Sequence, residues 1–134
     1  MVRTFARFLI AEVLIVILAV CSFVLIKKPI VAGFVAGVFF VSLGVWIVWS
    51  GLRSRGIRYS GTFGLGCVHL FIIALPLMIT RFLNVSVDFT EVRILGLSGP
   101  LFHQLSTVVY FSLMFATSVD LFFAWRKARA EVAK

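Results

Sequence analysis

The stretch at residues 8–26, FLIAEVLIVILAVCSFVLI, is followed by Lys27-Lys28-Pro29 and then by residues 30–49, IVAGFVAGVFFVSLGVWIVW. Each run is close to the ~20 residues that a helix needs to cross a ~30 Å hydrocarbon slab at ~1.5 Å rise per residue. Two charges and a proline end the first pattern abruptly. The spacing predicts a first helix over about 4–26 and a second over about 30–49, joined by a tight turn as an antiparallel hairpin.

Downstream, residues 50–61 read SGLRSRGIRYSG, a Gly/Ser-punctuated loop carrying Arg53, Arg55 and Arg58. A third apolar run over about 63–83 is interrupted at Pro76, which should free the carbonyl of Ile72 and kink the helix, as a static bend or as a hinge. Residues 84–100 form the main polar interval. Val85, Val87 and Phe89 alternate with Ser86, Asp88 and Thr90, and the phase changes before Val92 and Ile94, which predicts a short hairpin or extended segment. Gly-Leu-Ser-Gly-Pro at 96–100 should break the chain before a fourth helix over about 101–125, which leads into a basic tail at 126–134.

With 62% hydrophobic and 13% charged residues and a mean hydropathy of +1.14, the chain lies far from the composition of a water-soluble domain. Its 134 residues leave room for one domain. The net charge of +8 does not point to nucleic acid, because the basic residues sit at the ends of apolar runs and between them, where they set topology and meet anionic headgroups. Membrane lipid is the expected partner. Cys21 and Cys67 fall inside apolar runs, so no disulfide is expected, and the absence of any zinc-like spacing predicts no metal and no cofactor. Arg3 and Arg7 before an apolar run also describe a signal peptide. The length of that run, Glu12 within it and Lys27-Lys28-Pro29 after it favour an uncleaved helix.

Lys and Arg set the expected orientation. With the N-terminus inside, the inner segments hold nine of the thirteen: Arg3, Arg7, Arg53, Arg55, Arg58, Arg126, Lys127, Arg129 and Lys134. The outer loops hold four: Lys27, Lys28, Arg81 and Arg93. The expected fold class is therefore all-α, a four-helix transmembrane bundle with both termini inside and a short extended element between helices 3 and 4.

Three ionisable residues interrupt the apolar runs: Glu12, His69 and Asp120. In this topology each lies about six residues, or roughly 9 Å, from the same membrane face. Coincident depth is what a shared proton- or cation-holding cluster needs, although each group could instead snorkel independently to the headgroups. His103 falls some 20 Å or more from His69 by the same rise, too far for the two to share a haem. With Gln104 it reads as an interfacial hydrogen-bonding pair.

Gly33, Gly37 and Gly44 share a face of the second helix and predict close helix packing; Ser112, Ala116 and Asp120 make a similar line on the fourth. Arg53, Arg55, Arg58, Arg126, Lys127 and Arg129, with Trp46, Trp49, Tyr59 and Trp125 beside them, are candidates for contact with lipid headgroups. Asn84-Val85-Ser86 fits a glycosylation sequon, relevant only to a eukaryotic source.

The tripeptide Ala11-Glu12-Val13 early in the first helix resembles the small multidrug resistance transporters, in which a glutamate there couples protons to drug export. The resemblance covers one helix. The pattern after the glutamate and the glycine motif of that family's third helix are missing, and the outer loop is longer. Two functions are thus expected of such a chain. One is a non-enzymatic accessory or assembly subunit of a larger membrane complex, most naturally in a bacterial inner membrane, bound to other subunits or to itself. The other is a proton-coupled small transporter working as a homodimer through Glu12, His69 and Asp120. An enzyme is disfavoured by the lack of a nucleophile, metal set or phosphate loop.

Overall fold

The computed structural model describes residues 1–132, so Lys134 lies outside the described residues. Its elements in chain order are α1 (Val2–Leu25), α2 (Pro29–Arg53), α3 (Arg55–Arg58) and α4 (Gly61–Val68). A π-helical turn (His69–Ala74) joins α4 to α5 (Leu75–Leu83); β1 (Arg93–Ile94), β2 (Leu97–Ser98) and α6 (Gly99–Val132) follow. Among the described residues, four helices are long and apolar enough to cross a membrane, the third being the continuous run Gly61–Leu83. That architecture is compatible with a multi-pass membrane protein.

Local chemistry explains the ends. Ile26 and Lys28 are extended, the latter because a residue before proline is pushed out of the helical region, and Pro29 then opens α2 where its missing N–H costs nothing. The Ser60 hydroxyl accepts from the Phe63 N–H at 3.2 Å and caps α4. The residues expected as a plain arginine loop instead contain the one-turn helix α3. Arg58 folds back from it, donating Nη2 to the Leu52 carbonyl at 2.6 Å and Nε to that of Gly51 at 3.3 Å. Those are orphan acceptors of the last turn of α2, so Arg58 caps that helix.

The short hairpin expected between the third and fourth helices is present, but its position and that of the irregularity in the third helix differ from expectation. The break in the third run falls one turn before Pro76, as the wide turn in which the Leu75 N–H reaches the Leu70 carbonyl five residues back; Pro76 itself sits in the first turn of α5. The alternation at 85–90 does not form a strand. Residues 84–91 run through turns, and the strands are the two residue pairs after the phase change, Arg93 opposite Ser98 and Ile94 opposite Leu97. Leu95 and Gly96 both have positive φ, 51° and 84°, as a two-residue type I′ hairpin requires. The fourth helix starts at Gly99, directly after β2, and continues beyond Trp125 through the basic residues to Val132.

The four long helices pack in cyclic order. The first touches the second and fourth, the third touches the same two, and the diagonal pairs do not pack. Glycine sets the approach of the second and third: a Cβ on Gly44 would stand 2.9 Å from the Leu70 Cβ, one on Gly66 would meet Ile47, and one on Gly51 would enter the Phe63 ring. Gly33 and Gly37 are different, with only Phe23 at 4.0 Å and Met78 at 3.7 Å from such a Cβ. Of the predicted packing face, Gly44 makes the close contact, and Gly33 and Gly37 line a cavity.

Two cores divide the interior. Phe5, Phe8, Leu43, Ile47 and Leu113 pack at the end carrying the N-terminus and α3. Ile73, Val92, Ile94 and Phe102 pack beneath the hairpin at the other.

Candidate functional site

Polar groups in the first core form one chain of contacts across three helices, two hydroxyl–carboxylate hydrogen bonds whose hydroxyl oxygens face each other with neither proton between them. Glu12, on α1, is fully buried, as are Thr117 on α6 and Thr62 on α4. Thr117 Oγ1 donates to Glu12 Oε1 at 2.8 Å, Thr62 Oγ1 lies 3.4 Å from Thr117 Oγ1, and Thr62 Oγ1 donates to Asp120 Oδ2 at 2.7 Å. Tyr110 closes the set by donating its hydroxyl to the Glu12 backbone carbonyl at 2.7 Å.

The two carboxylates have different work. Asp120 Oδ2 also accepts from the Thr62 backbone N–H at 2.8 Å, so a side chain of the fourth helix caps the N-terminus of the third. A carboxylate is favoured there by the orphan N–H groups and by the helix dipole. Glu12 has no such purpose: Oε1 meets Thr117, and Oε2 is buried without a partner. Thr117 carries one hydroxyl proton and has two acceptors, Glu12 Oε1 and the Leu113 carbonyl at 3.0 Å. When that proton turns to Leu113, Glu12 can remain hydrogen-bonded to Thr117 only as a carboxylic acid that donates. The Thr117 hydroxyl therefore has two proton arrangements, one toward each acceptor.

His69 stands outside this chain. It is 3% exposed, its ring is 5.4 Å from that of Tyr110 and 6.0 Å from that of Phe40, and neither of its nitrogens has a partner. The expected trio is thus a Glu12–Thr117–Thr62–Asp120 chain with the imidazole on the far side of Tyr110. Thr62, Thr117 and Tyr110 were not singled out in the sequence, since a hydroxyl in an apolar helix carries no charge penalty to mark it. The available signal was spacing: Tyr110, Thr117 and Asp120 recur at seven and three residues, one face of α6.

Beyond Tyr110 the bundle is hollow. A cavity of about 660 Å³ lies between all four long helices, with apolar walls that include Val20, Phe34 and Leu77. His69 and Tyr110 also line it, as do Arg81, His103 and Phe89. Among the described residues no carboxylate does. Arg81 stacks over the Phe89 ring at 5.0 Å, and its Nη1 is buried without a hydrogen-bond partner.

The basic residues expected at headgroup level are exposed, and several rest on aromatic faces: Arg53 is 4.4 Å above Trp49, Arg129 is 4.0 Å from Trp125 and Arg126 is 5.8 Å from Phe122. Among the described residues no group of three His, Cys, Asp or Glu is placed to hold a metal ion.

No known family matches this chain. Neither does any curated protein or solved structure.

Proposed function

We propose that this is a non-enzymatic, multi-pass membrane protein that serves as an accessory or assembly subunit of a larger membrane complex. Its termini and α3 face the cytoplasm, its hairpin faces outward, and a bacterial inner membrane is its natural setting. The observation that carries this reading is the outer face of α6. There Ser112 and Ala116, with Gly61 of the neighbouring α4, line a shallow groove together with the exposed rings of Phe111 and Phe115. Small residues between large ones are what a membrane helix needs in order to approach another closely. Of the glycines of α2, Gly44 and Gly51 are already used by the third helix, and Gly33 and Gly37 face the interior cavity. Arg53, Arg55, Arg126 and Lys127 add a basic rim suited to anionic lipid.

Native mass spectrometry of the protein gently extracted from its own membrane tests this. A stoichiometric foreign subunit, lost when Ala116→Leu fills the groove, is the expected result. A partner-free monomer or homo-oligomer would overturn it.

A second reading, a proton-coupled transporter, is favoured by one observation: a buried carboxyl with a free oxygen, bonded to a hydroxyl with two proton arrangements, below a cavity. Proton flux into vesicles that disappears in Glu12→Gln without loss of thermal stability supports it. Equal flux in the two proteins would exclude Glu12 as the coupling group.

A further inference from the structure

The cavity and the cation beside it match one class of occupant. The walls are apolar, the volume of about 660 Å³ lies within the ~300–1,000 Å³ usual for ligand sites, and the lining contains no acid. Arg81 brings a planar guanidinium to the rim, already stacked on Phe89 and with Nη1 buried and unpaired. A guanidinium held over a ring and lacking an internal hydrogen-bond partner is suited to the oxygens of a phosphate or carboxylate. The acid that faces it is Asp88, which is exposed, outside the cavity, and occupied at Oδ1 by the Thr90 N–H at 2.9 Å and the Thr90 hydroxyl at 2.8 Å.

Length agrees with charge. Arg81 and His69 are both on the third helix, twelve residues apart, which at ~1.5 Å per residue is about 18 Å. One leaflet of a ~30 Å hydrocarbon core is about 15 Å deep. The site from rim to floor therefore matches one acyl chain of one leaflet.

We propose that the hollow half of the bundle binds a single anionic amphiphile, its phosphate or carboxylate on Arg81 and one acyl chain running down the cavity toward His69. The cavity and the groove on α6 share only Thr107 and Phe111 as walls, and binding at Arg81 does not depend on a partner in the groove.

The test is titration of detergent-purified full-length protein with phosphatidylglycerol, oleate and phosphatidylcholine, read by native mass spectrometry as one-to-one adducts. At least one of the two anionic probes should bind about tenfold or more tighter than phosphatidylcholine, and Arg81→Gln should remove that preference. Phosphatidylglycerol alone would identify a headgroup lipid, oleate alone a free fatty acid, and both the shared chemistry. Gly37→Phe, whose Cβ meets only ordinary contact with Met78 at 3.7 Å, should block the cavity. Gly33→Leu serves if that protein does not fold. Phosphatidylcholine binding as tightly as both anionic probes would overturn the proposal. So would adducts that survive both Arg81→Gln and a folded cavity-filling variant.

Discussion

Thr117 Oγ1 donates to Glu12 Oε1 at 2.8 Å, a bond between residues 105 positions apart that ties the first helix to the fourth where both side chains are fully buried. Each partner is costly alone in an apolar bundle, and together they satisfy one oxygen of the carboxyl.

Thr117→Val should destabilise the protein by about 1–3 kcal/mol, because it strands the buried Glu12 carboxyl. Glu12→Gln keeps a hydrogen-bonding group and should cost about 1 kcal/mol or less. The double variant Glu12→Leu/Thr117→Val, apolar on both sides, should be more stable than Thr117→Val alone. Thermal melts in one detergent rank the three, and a double variant worse than the single would refute the pairing.

Asp120→Ala removes two bonds from the start of α4, those from the Thr62 N–H and hydroxyl. A loss of about 1–2 kcal/mol is expected, with faster amide exchange over residues 61–64. Asp120→Asn, which retains an acceptor, should fall between. Unchanged exchange at α4 in the alanine variant would remove Asp120 from its capping role.

Glycines on the second helix should divide sharply. Gly44→Ala places a Cβ 2.9 Å from Leu70 and should cost about 1–3 kcal/mol, whereas Gly33→Ala meets only Phe23 at 4.0 Å and should be neutral or gain up to about 1 kcal/mol from helix propensity. Equal effects at the two sites would show that the second and third helices do not approach as described.

Asp88, between α5 and β1, is held below the usual carboxylate range by the Thr90 N–H, then by the Thr90 hydroxyl, with a smaller contribution from Arg81. A depressed folded-state pKa means that the stabilisation is present above the unfolded value of about 3.9 and is lost as pH falls through the folded one. Protection of the Thr90 amide, its exchange measured against the intrinsic rate at each pH, should therefore fall as the pH is lowered below about 4, and Asp88→Asn should flatten that dependence. A flat profile in the unmodified protein would contradict it.

Leu95 adopts φ of 51° while 66% exposed, so it bears the strain of the type I′ turn without packing in return. Leu95→Asn should raise stability by about 0.5–1 kcal/mol, measured as slower exchange across Ile94 and Leu97. No change would mean that the turn does not hold this conformation.

The four long helices were legible because crossing length is a matter of counting: residues 8–26 and 30–49, parted by Lys27-Lys28-Pro29, match the spans observed to within a few residues. Counting also placed Glu12 and Asp120 at one level, since rise per residue is fixed in any α-helix. Levels could be read from the sequence; directions could not. His69 shares the level of Glu12 by that count yet turns toward Phe40 and the cavity, because a helix's rotation is chosen by what it packs against. The π-helical turn at His69–Ala74 adds a residue to one turn and shifts every later position by about 100°, so the face predicted by 3.6-residue periodicity is lost there. The same limit applies to the glycines: their smallness is visible in the sequence, but whether Leu70 or a cavity faces them is not. The sequence by itself determined the number of long apolar helices and the break between the first two, through local chain chemistry. The hydroxyl chain, the Arg58 cap and the hollow above Tyr110 were decided only when four helices chose their rotations together, because each depends on side chains far apart in the chain meeting across an interface.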